Sequence, residues 1–225
     1  MALILNIETA TKNCSVCVAE NYKLLSIREI NNNNYSHAEK LHLFIQQVLS
    51  EANIQAKELS AVAVSKGPGS YTGLRIGVSS AKGICFACGI PLISTETLHS
   101  LAASISITEG HLIPVIDARR MEVYVSVYDK NLEQKSKIYA KHINKDSFAE
   151  LLNKGPAHFV GDGARKCKEV ISHKNAEFYS NKYPSSKNMI KLSFEKYKNN
   201  NFEDVAYFEP FYLKDFVATP EKSKN

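Results

Sequence analysis

Residues 3–18 read "LILNIETATKNCSVCV", and residues 112–127 read "LIPVIDARRMEVYVSV". At a constant offset of 109, without a gap, Leu3/Leu112, Ile4/Ile113, Ile7/Ile116, Val16/Val125 and Val18/Val127 coincide, and acid meets acid at Glu8/Asp117. Each stretch is an apolar run, an acid-led polar turn and a second run of alternating apolar residues, the pattern of an antiparallel hairpin. Five identities in sixteen positions carry little alone. Joined to a shared strand–turn–strand layout, they indicate an internal duplication. The chain therefore divides into two related α/β lobes, residues 1–108 and a smaller lobe of residues 109–225.

Outward from the first hairpin, "YKLLSIREI" (22–30) supplies a third strand and "NNNN" (31–34) a loop. Ser36-x-x-Glu39 is a capping box that opens a helix. Leu41, Phe44, Ile45, Val48, Leu49 and Ala52 follow at helical spacing as one apolar stripe. "AVAVS" (61–65) is a strand, and a helix runs from Ser70 or Thr72 to Cys88, closed by Gly89 and Pro91. "PLIS" (91–94) is a strand and "TETLHSLAASI" a helix. In the second lobe "EVYVSVYD" and "KIYAKHI" read as strands, with a short helix near 146–153, a strand "HFVG" (158–161) and a turn "GDGARK" (161–166). "SSKNMIKLSFEKYKN" is an amphipathic helix with a lysine-rich outer face, "FEPFYL" an aromatic segment packing back on the body, and "ATPEKSKN" a frayed tail. Two lobes that each open with an antiparallel meander and continue with helices and parallel strands have the actin-like ATPase architecture.

Bulk properties narrow the classes of function. With 44% hydrophobic and 23% charged residues, 225 residues are enough for a globular core. No apolar run has the length of a membrane span, and "MALILNIETA" lacks the layout of a signal peptide, so a cytoplasmic protein with no membrane contact is expected. Residues 1–129 hold 10 Lys+Arg against 11 Asp+Glu, and residues 130–225 hold 18 against 12. The basic excess is dispersed lysine, which favours a solvated surface over a nucleic-acid site. Five cysteines include two CxxC spacings, Cys14/Cys17 and Cys85/Cys88. On a strand, i and i+3 point to opposite faces, and the helical pair lies in an apolar setting, so buried small hydrophobes are expected rather than zinc ligands.

The glycine-rich "KGPGSYTGLRIG" (66–77) fails the phosphate-loop templates. Leu74 stands where a Walker lysine belongs, Thr72 where the last glycine of GxGxxG belongs, and Pro68 removes a backbone donor. Gly73, Gly77 and Ala81 fall at i, i+4 and i+8, a ridge of small residues that admits a close neighbour. That neighbour is either internal, the helix at 36–52 for example, or another subunit. Arg75 lies off the ridge, free to bond a partner or a neighbouring strand. His37 and His42 are five apart and His99 has no histidine three or four residues away, so no metal is expected; no catalytic nucleophile is expected either. Glu8 and Asp117 have two readings, contact with magnesium or nucleotide, and the favoured one, capping of the turn each begins.

"KGPGSYTGLRIGVSSAKG" (66–83), "IPLIST" (90–95) and "IDARRMEVYV" (116–125), with "ILNIETAT" (4–11), "SHAEKL" (36–41) and "GDGARK" (161–166), resemble the TsaB family, also called YeaZ. The resemblance implies an actin-like, ribonuclease H-like fold with a reduced second lobe. It also implies a non-catalytic, dimerising and activating subunit without cofactor, in the machinery that makes N6-threonylcarbamoyladenosine beside the tRNA anticodon. Such a subunit pairs with the catalytic, metal-holding paralogue TsaD, is joined by the ATPase TsaE, meets tRNA through the complex and forms a homodimer when alone. The family's dimer face maps to the helices at 36–52 and 73–88, which assigns Leu41, Phe44, Ile45, Val48, Gly73, Leu74, Arg75, Gly77 and Ala81 to the interface. Glu8, Thr9, Asp117, Arg119, Gly161, Asp162 and Gly163 map to a vestigial nucleotide cleft. The paralogue's HxxxH motif is reduced in "TLHSLAAS" to His99, and Glu8 stands where members more often carry aspartate. An older glycoprotease label for the wider family finds no supporting residues. The alternative is a stand-alone actin-like ATPase or small-molecule kinase, with Glu8 and Asp117 on magnesium.

Overall fold

A computed structural model describes residues 1–31 and 37–214. Ser36 of the expected capping box, most of the asparagine tract and the "ATPEKSKN" tail lie outside the described residues.

The first lobe is built from β1 (Leu3–Glu8), β2 (Asn13–Glu20), β3 (Lys23–Asn31), α1 (His37–Glu51), a short 3-10 turn (Ala56–Glu58), β4 (Ala61–Gly67), α2 (Tyr71–Cys88), β5 (Leu92–Glu96) and α3 (Thr97–Ala102). Its five strands lie in the order β3-β2-β1-β4-β5. The first three form the antiparallel meander, whereas β4 and β5 run parallel to β1. Alternation sends Leu5, Ile7, Val16, Val18, Val62 and Val64 to one face, where they pack with Leu41, Val48 and Val78 of α1 and α2. Ile4, Ala61, Ala63 and Ile93 point to the other face. α2 begins after Ser70, whose hydroxyl accepts from Gly73 N at 3.3 Å, and ends at Gly89 in the left-handed region.

The second lobe repeats the plan with shorter parts. It contains β6 (His111–Asp117), β7 (Glu122–Val125), β8 (Tyr128–Asp129), β9 (Tyr139–His142), α4 (Ala149–Lys154), β10 (Ala157–Val160), α5 (Ala164–Val170) and β11 (Ala176–Tyr179). The path β11-β10-β6-β7-β9, with β8 also on β6, mirrors the first sheet, antiparallel on one side of its first strand and parallel on the other. This is the actin-like, ribonuclease H-like fold in two copies, the second reduced. Three details differ from the sequence reading. "EVYVSVYD" is broken into β7 and β8, "GDGARK" leads into the helix α5, and β11 was not anticipated.

α6 (Ser186–Lys198) follows the second lobe in sequence but covers the open face of the first sheet, so a division at 108/109 separates this helix from the sheet it completes. Met189 packs on Ile4, Ala61, Ala63 and Ile93. Ser193 Oγ donates to Asn6 Oδ1 at 2.7 Å, Ser186 and Ser15 share a hydroxyl contact at 2.8 Å, and Lys196 Nζ donates to the Ser94 carbonyl at 2.7 Å. After α6 an irregular strap returns as expected. Phe211 N donates to the Lys66 carbonyl at 2.7 Å, the Lys82 ammonium holds the carbonyls of Ala206 and Phe208 at 3.0 Å each, and Tyr212 packs on Tyr71 with ring centroids 4.6 Å apart. Lys214 then pairs with Glu122, tying the strap to the second lobe. No helix among the described residues is long and apolar enough to cross a membrane.

Candidate functional site

The small ridge of α2 faces inward. A Cβ on Gly73 would overlap the Thr9 carbonyl oxygen, and one on Gly77 would overlap Thr9 Oγ1. Ala81 is fully buried. The close neighbour of Gly73 and Gly77 is therefore the turn between β1 and β2, with His37 at the start of α1 beside it. The contact is knitted by hydrogen bonds: Thr9 Oγ1 donates to the Gly73 carbonyl at 2.7 Å, and Ser70 N to the Ala10 carbonyl at 2.6 Å. His37 Nε2, at the start of α1, donates to the Thr11 carbonyl at 2.8 Å. One turn thus positions the first residues of both helices.

Most of the expected interface residues are consequently inside the molecule. Leu41, Ile45, Val48, Gly73, Leu74, Gly77 and Ala81 are buried, and Phe44 is half-buried. Only Arg75 of that set is exposed, its guanidinium 4.3 Å from the centre of the Tyr71 ring. The reason lies in the helix period. Gly77 and Ala81 share the face of Leu74, Val78 and Cys85, an apolar stripe that marks the inward side. The outward side carries a second small series, Ser79, Gly83 and Ala87, also spaced by four and all exposed. Among the described residues nothing lies within 4 Å of where a Gly83 Cβ would stand. Beside this smooth strip Phe86 is 86% exposed. On α1, joined to α2 by a Ser80–His42 contact at 3.5 Å, Leu43 is 42% exposed.

The two acid-led turns keep their duplicated geometry. Glu8 Oε1 accepts the Ala10 N–H at 2.7 Å, and Asp117 Oδ1 accepts the Arg119 N–H at 2.6 Å, the same two-residue cap at both positions. Their surroundings differ. Glu8 is fully buried, and burial pushes its carboxyl up to about 7. Thr9 is buried beside it, so neither lines an open cleft. Asp117 is exposed but held by Lys166, whose ammonium lies 2.8 Å from Oδ1 and also donates to the carbonyls of Arg120 and Glu122. Asp162 Oδ1 accepts the Asp117 N–H at 2.9 Å, and burial raises its own carboxyl above the usual range. Gly161 and Gly163 are buried against the Val115 carbonyl, where they let β10 pass into α5 close to β6. Of the expected nucleotide cleft, Glu8 and Thr9 are thus sealed in and Asp117 is tied to Lys166, whereas Arg119 is exposed. Lys166, which fixes Asp117, carries no signal in the sequence beyond its type.

The cysteines and histidines have structural surroundings. Cys14 lies in the core under α1 and α2, whereas Cys17 faces Ile190 on the opposite side of the sheet. Burial pushes both thiols up to about 12 and that of Cys85 to about 11. His99 is stacked on Tyr128 at 5.1 Å, its pKa lowered by burial. Among the described residues no group of three or more His, Cys, Asp or Glu could hold a metal ion.

Comparison with known proteins fits this geometry. The family model for TsaD, the tRNA N6-adenosine threonylcarbamoyltransferase, matches residues 31–222. The tRNA threonylcarbamoyladenosine biosynthesis protein TsaB of Buchnera aphidicola subsp. Schizaphis graminum is 32% identical over 205 residues, covering 86% of this chain and 94% of that protein. The chain belongs to the TsaB/YeaZ family. The Escherichia coli TsaB is 25% identical over 225 residues, 96% of either chain. A Pseudomonas aeruginosa protein with similarity to peptidase YeaZ superposes with a TM-score of 0.84 at 21% identity, covering 95% of this chain and all of that one, which establishes the fold. The match to the TsaD model shows in addition that this chain shares sequence pattern with TsaD over residues 31–222.

Proposed function

We propose that this chain is the non-catalytic, activating subunit of the machinery that makes N6-threonylcarbamoyladenosine in tRNA, docking on a TsaD-type paralogue through the outward sides of α1 and α2. Family membership ties it to threonylcarbamoyladenosine biosynthesis. The observation that carries the docking reading is Phe86, almost wholly exposed beside the smooth strip Ser79–Gly83–Ala87 and backed by Leu43. An exposed mid-helix glycine costs about 1 kcal/mol relative to alanine. Nothing among the described residues offsets that at Gly83, whereas a partner helix seated on the strip would. Covering Phe86 would add about 1.5–3 kcal/mol, and covering Leu43, already more than half buried, about 1 kcal/mol. Lys82, one turn before Phe86, places Tyr207 of the strap, 84% exposed, along the same side of α2. The TsaE ATPase joins the pair, the complex works in the cytoplasm, and tRNA reaches the chain within it.

Co-purification with the paralogue tests the docking. Gly83→Leu and Phe86→Glu should both abolish the complex while the circular-dichroism spectrum and melting temperature of the free chain stay close to the parent's. Undiminished capture of the partner by both variants would sink the assignment. Mass measurement of the free chain separates a monomer from a homodimer on the same face. Reconstituted modification tests the role: the chain alone should transfer nothing, and its addition should accelerate the paralogue.

A further inference from the structure

The turn between β6 and β7 is built in a way its hairpin does not require. Arg119, at φ 67°, and Arg120, at φ 48°, stand consecutively in the left-handed region. Sequences fill such tight turns with glycine, asparagine or aspartate, because a longer side chain crowds its own backbone there. Strain of this kind persists where something other than stability holds the residue. Both arginines are exposed, and neither guanidinium has a hydrogen-bond or ion-pair partner among the described residues. The acids around them are already engaged. Asp117 is paired with Lys166 and Glu122 with Lys214, while Asp162 accepts the Asp117 N–H, and burial raises its carboxyl above the usual range. Lys12, on the equivalent turn of the first lobe, is close enough for its charge to act on Asp162. The mouth between the two turns therefore gathers five cations, Lys12, Arg119, Arg120, Lys166 and Lys214, around three carboxyl groups, Asp117, Glu122 and Asp162.

We propose that this mouth is a direct docking point for the phosphate backbone of RNA, with Arg119 and Arg120 as its two principal contacts. Guanidinium forks match phosphate oxygens in pairs and keep their charge at any physiological pH. Two of them on a short turn tied down by Lys166 are pre-positioned, and contacts of this kind set the register of an RNA without reading its sequence. A free nucleotide fits less well, because the two acids that would hold its magnesium are engaged: Glu8 is sealed in and Asp117 is held by Lys166. The inference rests on the tRNA-modification reading and is independent of the α1/α2 docking face.

The test uses the complex of this chain with its catalytic paralogue and an unmodified tRNA transcript, titrated over a series of salt concentrations. Replacing both arginines, Arg119→Gly with Arg120→Gly, removes the cations and relieves the backbone, so the two effects have opposite signs. The variant should melt at the same temperature as the parent or higher, keep its partner, and bind tRNA about tenfold more weakly with a salt slope reduced by about 1–2. The control Lys23→Ala with Lys57→Ala removes equal charge at the opposite end of the first sheet and should leave affinity within about twofold. An intact complex with unchanged affinity and slope would overturn the proposal, as would an equal loss in the control. Displacement of the tRNA by Mg-ATP would reassign the mouth to a nucleotide, and loss of the partner would reassign it to the protein interface. If the parent complex itself does not form, the docking face has failed, and the same titration on the free chain still decides this one.

Discussion

Glu8 and Asp117 perform the same local task, each accepting the backbone N–H two residues on, in settings of opposite character. The turn-capping role was legible from an acid leading each polar turn. The burial of Glu8 was not, because the cover arrives from α2, about sixty residues later in the chain. That burial has a measurable consequence. The folded carboxyl sits at about 7 against an ordinary 4.5, so the folded state holds the proton more tightly than the unfolded chain. Its neighbours, Cys14 and Ser65, bring no cation to stabilise the charge. The contribution of this group to stability is fullest below about pH 4.5, falls as pH rises to about 7, and is lost above that, a span of about 3 kcal/mol. Glu8→Gln keeps an acceptor for Ala10 and removes the charge. In urea unfolding it should match the parent at pH 5 and exceed it by about 2–3 kcal/mol at pH 8. A parent and variant with parallel pH profiles would refute the assignment.

At the scale of elements, α2 teaches the most, because it carries two series of small residues and sequence spacing alone makes them equivalent. What separates them is the apolar stripe beside one series: Leu74, Val78 and Cys85 accompany Gly77 and Ala81, whereas polar or exposed neighbours accompany Gly83. Two alanine substitutions should therefore act in opposite directions. Gly83→Ala meets open space in a helix interior and should stabilise the free chain by about 0.5–1 kcal/mol. Gly77→Ala forces a methyl group onto Thr9 and should cost about 1–3 kcal/mol. Denaturant midpoints check both, and equal shifts would show the face assignment to be wrong. The first-lobe elements were legible because their strands and helices are long enough for a clear period. α5 and β11 escaped because seven and four residues show too few repeats to separate a short element from a turn.

At the scale of the whole molecule, the duplication revealed two lobes, and nothing in it revealed that the chain crosses back. α6 reads from sequence as the end of the second lobe, yet its Met189, Ser186 and Ser193 complete the first. Amphipathic spacing identifies a helix that must be covered but does not say by which sheet. A chain ended at Pro184 should accordingly lose more than its last helix: it should aggregate or fail to give a cooperative melt. A cooperative, monodisperse Pro184 product would contradict the packing of α6. The same return path governs birth on the ribosome. All five strands of the first sheet have been made by residue 96, but the helix that seals one of its sides is finished only at residue 198. At roughly 5–20 residues per second the nascent sheet waits about 5–20 s with that apolar side uncovered. The N-terminal lobe of this chain, first to be translated, is thus among the last parts to close, and the interval is one in which a chaperone has something to hold.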